Sequence, residues 1–266
     1  AICADAVKIA KSMNYRSAGT VEFLVDRNGN HYFIEMNPRI QVEHTVTEMA
    51  TGYDIVESQL LIAEGFPLDS KEIGIPSQES IQPRGYAIQC RITTEDPMNQ
   101  FAPDTGRIDY YRSGSGFGIR LDAGNAYTGA VISPYYDSLL VKTTSHSRTF
   151  EDASRKAIRA IKEITITGVK TNIDFLINVL NDKTFLQGKC DTGFIAENPH
   201  LVDIVVKTDE EQRVLNYLGE VIVNQTKRHK VEFDVPVIPQ VTVPENLRGT
   251  KQILHERVSD AVLKCI

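Results

Sequence analysis

The most informative segment of the chain is residues 19–44, which read GTVEFLVDRNGNHYFIEMNPRIQVEH. Two runs rich in β-branched and aromatic residues, 17–25 and 31–36, stand on either side of the dipeptide Asn28-Gly29. An Asn-Gly pair between two such runs is the strongest short-range signal of a β-hairpin, because both residues readily adopt a positive φ. The segment therefore predicts two antiparallel strands joined by a tight turn.

The predicted hairpin brings two carboxylates together. A two-residue turn pairs residues whose numbers sum to 57, so that Glu22 lies opposite Glu35 and Phe23 lies opposite Ile34. Opposed side chains have Cβ atoms about 4.5–5.5 Å apart, and strand alternation adds Asn37 to the same face. Two like charges so placed destabilise a sheet unless a positive charge lies between them. Because Mg²⁺ prefers carboxylate and amide oxygens, the hairpin predicts a divalent-metal site; the alternative is a pair of solvated surface glutamates.

The residues after the second strand continue the polar pattern. Asn37, Arg39, Gln41 and Glu43 alternate with less polar residues, and an extended chain would align all four along one wall. An arginine holds a planar oxyanion with two parallel hydrogen bonds, and a nearby carboxylate can act as a base toward an acid held there. The segment therefore predicts an anion site beside the metal site.

Residues 19–23, 33–39 and 40–44 closely resemble the ATP-grasp core of biotin carboxylases. The resemblance implies binding of ATP, of Mg²⁺ or Mn²⁺ ions that bridge its phosphates, and of bicarbonate as a substrate. The residues that it assigns are the metal ligands Glu22, Glu35 and Asn37, the bicarbonate-binding residues Arg39, Gln41 and Val42, and Glu43, which binds bicarbonate and removes its proton.

A glycine-rich segment, residues 112–122 (RSGSGFGIRLD), lacks the spacing of a phosphate-binding loop, so glycines in tight turns explain it by itself. However, residues 116–120 and 133–140 resemble the C-terminal domain of biotin carboxylases. In that family the arginine that matches Arg120 stabilises the enolate form of biotin, which is attached to a different domain. A fixed cation beside developing negative charge is a large electrostatic contribution to catalysis.

Hydrophobic periodicity and turn signals give the class as α+β. Helices are predicted at residues 1–12, 45–65, 150–164 and 172–180, and short strands at 85–92, 106–111, 118–121 and 138–143. With the resemblance, the predicted domains are the C-terminal part of an ATP-grasp domain at 1–65, a linker at 66–83, a biotin carboxylase C-terminal domain of mixed sheet and helices at 84–203, and a connector toward a carboxyltransferase domain at 204–266.

Composition narrows the class of protein. The chain has 266 residues and a net charge of −6, which disfavours a general nucleic-acid binder, and no apolar run approaches the ~18 residues of a membrane span. Four dispersed cysteines, without a CxxC pair, fit free thiols in a reducing compartment. Because Ala1 lies inside a predicted helix, we expect the chain to be a piece of a longer protein. We expect that protein to be cytoplasmic, or to lie in the mitochondrial matrix if it is eukaryotic.

Within this family, residues 89–97, 120–124 and 248–254 favour the pyruvate carboxylases. The resemblance then implies an ATP-dependent ligase that carboxylates biotin and passes the carboxyl group to pyruvate, giving oxaloacetate. Its partners would be carrier and carboxyltransferase domains of the same longer chain, in a homo-oligomer. The fragment alone is expected to be inactive, since it has no Met-Lys-Met biotinylation site. Two alternatives stay open: a carboxylase acting on acetyl-CoA, propionyl-CoA or urea, and a catalytically incomplete fragment with only an assembly role.

Overall fold

The computed structural model describes residues 1–203, 214–215 and 217–219, so the predicted connector at 204–266 lies almost entirely outside the described residues. The helices are α1 (Ile2–Ser12), α2 (His44–Thr51), α3 (Ile55–Glu64), α4 (Phe150–Glu163), α5 (Ile173–Asn181), α6 (Lys183–Leu186) and α7 (Phe194–Glu197). The strands are β1 (Thr20–Val25), β2 (His31–Asn37), β3 (Tyr86–Thr93), β4 (Glu95–Asp96), β5 (Ala102–Pro103), β6 (Gly106–Arg107), β7 (Tyr110–Arg112), β8 (Ile119–Ala123), β9 (Val131–Ile132), β10 (Leu139–Ser147) and β11 (Thr165–Thr167). Among the described residues, no helix combines the length and apolar character needed to cross a bilayer.

β1 and β2 form the predicted antiparallel hairpin, but the predicted register is wrong near the turn. Asp26 and Asn30 close a three-residue loop in which Gly29 has φ +83°, and Phe23 pairs with Phe33 rather than with Ile34. An irregularity in the pairing between Glu22 and Phe23 then leaves Ile34 as an extra residue. Such a bulge shifts the register by one residue, and a one-residue shift exchanges the two faces of a strand. The bulge thereby restores the pairing of Glu22 with Glu35 that a two-residue turn predicts.

The single helix predicted at 45–65 is two helices. Gly52 adopts the left-handed conformation with φ +81° and ends α2. Asp54 then begins α3, because its side chain accepts a hydrogen bond from the backbone N–H of Glu57 at 2.7 Å. Gly65, with φ +105°, ends α3 at the predicted position.

Residues 84–203, called the second block below, are built on an antiparallel sheet with the strand order β3-β10-β8. α4 packs against this sheet through a stripe of small and branched residues: Ala153, Ala157, Ala160 and Ile161, all fully buried. Thr149 caps α4 by accepting a hydrogen bond from the backbone N–H of Asp152, and the predicted helices at 150–164 and 172–180 are confirmed as α4 and α5. The strand predicted at 106–111 instead divides into β6 and β7, which pair with β9 and β11 respectively.

α2 packs directly against the sheet of the second block. Thr45 is fully buried, and its hydroxyl oxygen lies 2.5 Å from Gln89 Oε1 on β3 and 2.7 Å from Thr144 Oγ1 on β10. The contact of Thr45 with β3 and β10 brings the end of the hairpin segment next to β8 and β10.

Ala1–Val206 form one compact unit, so the domain boundary predicted at 66–83 stays a prediction.

Cys90 on β3 is a buried thiol. It packs among Ala153, Ala157 and Ile161, and burial raises its pKa to about 12. Of the predicted free thiols, Cys3, Cys90 and Cys190 carry no disulfide, and Cys265 lies outside the described residues.

We expect Cys90 to resist alkylation in the native protein. Because the thiolate is the nucleophile, a pKa of about 12 leaves about a thousandfold less thiolate at pH 8 than an ordinary thiol does. Iodoacetamide labelling followed by peptide mass spectrometry measures this, with the same reaction in denaturant as the control. Native labelling of Cys90 at the rate of a free thiol would contradict its burial.

Candidate active site

The hairpin places two carboxylates around one amide. The Asn37 Nδ2 group donates to Glu22 Oε1 at 3.0 Å and to Glu35 Oε1 at 2.9 Å. The Gln41 Nε2 group donates to the same Glu22 oxygen at 2.7 Å. Like charges that converge in this way repel each other, and the partial positive charge of the two amides offsets part of the repulsion. The local geometry therefore marks a position where a positive charge is favoured.

The donors around this position suit a hard cation. Glu22 and Glu35 offer carboxylate oxygens, and Asn37 and Gln41 are the adjacent amides. No group of three or more His, Cys, Asp or Glu side chains that could hold a metal occurs in the part of the chain that the structure describes. Mg²⁺ commonly takes only one or two protein carboxylates and completes its shell with water and substrate phosphates, so two carboxylates fit it. A softer metal such as Zn²⁺ would favour nitrogen or sulfur ligands.

The expected extended wall from Asn37 to Glu43 is not present. Pro38 follows β2, the chain bends, and residues 42–43 form the turn that leads into α2. His44 stabilises this turn, because its backbone N–H and its ring Nδ1 both contact the carbonyl oxygen of Gln41, at 3.2 Å and 2.9 Å. Gln41 consequently reaches back to Glu22, whereas Arg39 is exposed and donates to the neighbouring Ile40 carbonyl at 3.1 Å.

The predicted base, Glu43, has a partner that the sequence did not indicate. Its Oε2 atom lies 2.7 Å from the Nη2 atom of Arg91 on β3, and both side chains are about half exposed. The contact directs the Glu43 carboxylate toward the second block. Arg91 sits in an ordinary alternating strand, so no local pattern distinguishes it from a surface arginine.

Arg120 on β8 is held by two carboxylates. Asp122 accepts from Arg120 Nε at 2.7 Å and from Nη2 at 3.1 Å, and Glu48 on α2 accepts from Nη1 at 2.6 Å. The hydrogen bonds to Asp122 raise the pKa of Arg120, and with the one to Glu48 they outweigh burial, which lowers it. Burial opposes the charged form of Asp122, but hydrogen bonds from Arg120 and Lys142 outweigh it and lower the Asp122 pKa. Arg120 is therefore a fixed cation.

Lys142 on β10 connects the predicted bicarbonate-binding turn to the predicted biotin-binding arginine. Its Nζ atom lies 3.1 Å from the carbonyl oxygen of Val42 and 3.2 Å from Asp122 Oδ2. The lysine side chain is only 12% exposed, so these contacts satisfy a largely buried ammonium group. A continuous polar network thus runs from Val42 through Lys142 and Asp122 to Arg120. Sequence reasoning missed both Lys142 and Glu48, because each is a single charged residue in an otherwise regular element.

Two family models match the chain. The model described as "Biotin carboxylase C-terminal domain" matches residues 89–197. The model described as "Carbamoyl-phosphate synthase L chain, ATP binding domain" matches residues 1–71. The two matches support the predicted order of an ATP-grasp part followed by a biotin carboxylase C-terminal domain.

Known proteins extend these matches over nearly the whole chain. Pyruvate carboxylase of Bacillus subtilis is 52% identical over 266 residues, which cover 98% of this chain and 23% of that protein. The structure of the complete multifunctional pyruvate carboxylase from Rhizobium etli superposes with a TM-score of 0.77 at 49% identity, over 83% of this chain and 21% of that chain. The biotin carboxylase domain dimer of Hydrogenobacter thermophilus 2-oxoglutarate carboxylase, in complex with MgADP, ADP and bicarbonate, gives a TM-score of 0.71 at 48% identity, over 75% of this chain and 43% of that one.

The chain spans about a fifth of the length of these pyruvate carboxylases. Identity near 50% along nearly the whole chain, the shared fold and the biotin carboxylase family model agree with one another. The chain therefore corresponds to part of the biotin carboxylase region of the pyruvate carboxylases, which are longer enzymes.

Proposed function

We propose that this chain is part of an ATP-dependent ligase that carboxylates biotin with bicarbonate and passes the carboxyl group to pyruvate, giving oxaloacetate. The observation that carries the proposal is the polar network from Val42 to Arg120, because it joins the predicted bicarbonate-binding turn to the predicted biotin-binding arginine. An enzyme with this reaction must hold bicarbonate and biotin close together, and the two contacting segments of this chain supply one group for each.

Each part of the site has a proposed role. Glu22, Glu35 and Asn37 would hold Mg²⁺ or Mn²⁺, which neutralises the charge of the ATP phosphates when bound. Arg39, Gln41 and Val42 would bind bicarbonate, and Glu43 would accept its proton so that a bicarbonate oxygen can attack the γ-phosphoryl group of ATP and displace ADP. Arg120 would stabilise the negative charge that develops on the biotin ureido group. Biotin itself would arrive on a carrier domain of the longer chain.

The ranges of the two family models, residues 1–71 and 89–197, support the proposed domain boundaries. We propose that residues 1–65 complete the ATP-binding domain and that residues 84–203 form the domain that receives biotin, with the linker at 66–83 and the connector at 204–266. We further propose a homo-oligomer in the cytoplasm, or in the mitochondrial matrix of a eukaryote. The Hydrogenobacter domain was described as a dimer, which supports self-association as a property of such domains.

The final acceptor is the least constrained part of the proposal. The Hydrogenobacter 2-oxoglutarate carboxylase domain matches this chain at 48% identity, and the Rhizobium pyruvate carboxylase matches it at 49%. The reason is physical: this region would carboxylate biotin in either enzyme, and another domain would bind the acceptor. A carboxylase acting on 2-oxoglutarate is therefore the second candidate, supported by that near-equal identity.

Isotope incorporation tests the proposal directly. The full-length enzyme, with MgATP and ¹⁴C-bicarbonate, should carboxylate pyruvate to labelled oxaloacetate at least about tenfold faster than it labels 2-oxoglutarate, acetyl-CoA, propionyl-CoA or urea, since rejecting one wrong acceptor contributes about 1–3 kcal/mol. Faster labelling of another acceptor would replace pyruvate in the proposal. Absence of bicarbonate-dependent ATP cleavage with every acceptor would instead leave the assembly role as the function.

A further inference from the structure

Glu48 is a buried carboxylate without an assigned role. Its side chain is 5% exposed, and its two oxygens have separate partners. Oε1 accepts the backbone N–H of Ile55 at 2.7 Å, which connects α2 to the start of α3. Oε2 accepts Arg120 Nη1 at 2.6 Å and lies 3.5 Å from His44 Nε2. Because a buried carboxylate is costly unless it is paired, these contacts explain why Glu48 is tolerated there.

The position of Glu48 is fixed by the packing of α2. Thr45 precedes Glu48 by three residues, so both side chains lie on the same face of the helix. Thr45 contacts Thr144 on β10, and Thr144 is the direct cross-strand partner of Arg120 on β8. The fully buried Thr45 therefore anchors α2 next to the strand position from which Arg120 extends. Rotation or sliding of the helix would break this contact together with the one between Glu48 and Arg120.

Two carboxylates orient the guanidinium plane of Arg120 from different sides. Asp122, on the same strand, occupies the edge formed by Nε and Nη2, and Glu48 occupies Nη1. An arginine held only by Asp122 retains rotational freedom about its long side chain, whereas a second anchor from another element removes it. The side chain of Arg120 is 36% exposed, and its hydrogen bonds to Asp122 and Glu48 use three of the five guanidinium N–H groups, so one N–H group on each terminal nitrogen is available to a further partner.

We propose that Glu48 is a positioning residue that acts through Arg120. It fixes the guanidinium in the orientation in which the accessible part meets the group to be carboxylated. This inference rests on the proposed function, in which Arg120 stabilises charge on biotin. Catalytic groups that are held in place before the reaction cost no reorganisation when charge develops, so loss of an anchor lowers the rate of that step alone.

Glu48→Gln separates the two contacts of this residue. The glutamine carbonyl still accepts the Ile55 N–H, but its NH₂ group cannot accept from Arg120. We expect biotin carboxylation by the full-length holoenzyme to fall about tenfold, the lower end of the effect of a hydrogen bond to a charged group. Bicarbonate-dependent ATP cleavage by the unbiotinylated enzyme should stay within about twofold of wild type, because it does not use Arg120. Glu57→Gln, at an exposed position in the first turn of α3, is the matched control and should change neither rate.

A double-mutant cycle shows whether Glu48 acts through Arg120. In an Arg120→Ala background, adding Glu48→Gln should reduce the remaining carboxylation by less than about twofold, because the contact is already absent. Equal losses in both backgrounds, or equal losses of carboxylation and ATP cleavage, would show a general structural role and overturn the proposal. Unchanged carboxylation by Glu48→Gln in the wild-type background would also overturn it.

Two further results complete the test. Glu48→Asp keeps the buried charge but shortens the side chain, and a selective loss of carboxylation of about threefold is expected even if Glu48→Gln does not fold. Different results would contradict the proposed function itself. The wild-type enzyme would then show no bicarbonate-dependent activity, or Arg120→Ala alone would carboxylate biotin at the wild-type rate. A selective effect of Glu48→Gln with an ineffective Arg120→Ala would assign Glu48 a role that does not pass through Arg120, which also overturns this inference.

Discussion

Replacing Arg120 with alanine should lower the rate of biotin carboxylation by the full-length enzyme at least about a hundredfold. The guanidinium is held by Asp122 and Glu48, so in the proposed role it would meet developing negative charge without having to move. Alanine removes that charge and leaves only water in its place. Incorporation of ¹⁴C-bicarbonate in a single turnover measures the effect, and binding of MgATP should be retained because the proposed metal ligands Glu22 and Glu35 lie on the β1–β2 hairpin and not on β8.

Arg155 provides the matched control for this substitution. It lies on α4, its side chain is 69% exposed, and its partner is Asp152 rather than any residue of the site. Arg155→Ala should leave carboxylation within about twofold of wild type, since exposed ion pairs contribute about 0–1 kcal/mol. Carboxylation at the wild-type rate by Arg120→Ala would remove Arg120 from the site, whereas loss of MgATP binding as well would indicate that the fold had changed.

Replacing Glu35 with glutamine should lower activity at about 1 mM Mg²⁺ about a hundredfold. The variant keeps an oxygen that can accept the Asn37 N–H, but it removes half of the carboxylate charge that would hold the cation. Stability should change in the opposite direction. Because Glu22 and Glu35 are directly opposed, loss of one charge relieves repulsion and should raise the free energy of unfolding in the absence of metal by about 0.5 kcal/mol.

The dependence of the rate on metal concentration distinguishes this effect from general damage. Raising Mg²⁺ to about 20 mM, or using Mn²⁺, should recover part of the lost activity, since weaker binding is overcome by mass action. Glu64→Gln, at an exposed position at the end of α3, should leave the metal dependence unchanged. If Glu35→Gln shows the wild-type metal dependence, the two glutamates are the solvated surface pair that the hairpin alone also allowed.

The pairing of Glu22 with Glu35 shows what turn chemistry can and cannot predict. The Asn-Gly signal correctly indicated the hairpin, but it did not indicate the three-residue loop or the bulge that compensates for it. The two deviations cancel, so the pair itself is as predicted while Phe23 has a different partner. Bulges depend on the fit of both strands rather than on one residue type, which is why the local sequence did not predict this one.

The sequence contains two signals that indicate the break between α2 and α3. Gly52 and Asp54 are common residues at a helix end and a helix start, and the structure uses both in that way. The hydrophobic periodicity on either side predicts one continuous helix, although the cap signals lie between the two halves. The break matters for the site, because Glu48 connects the two helices across it.

Features that depend on neighbours in the chain followed from the residues alone: the hairpin, the end of α3 at Gly65, the amphipathic helix α4, and the opposition of Glu22 and Glu35. Contacts between distant residues required the folded chain. Arg120 meets Glu48 across 72 positions, and Lys142 meets Val42 across 100. Local patterns report backbone preferences and the side that faces a core, but they do not specify which charged groups meet when a helix packs on a sheet. That choice follows from the packing of α2 through Thr45, and buried charges then require the partners that packing brings within reach.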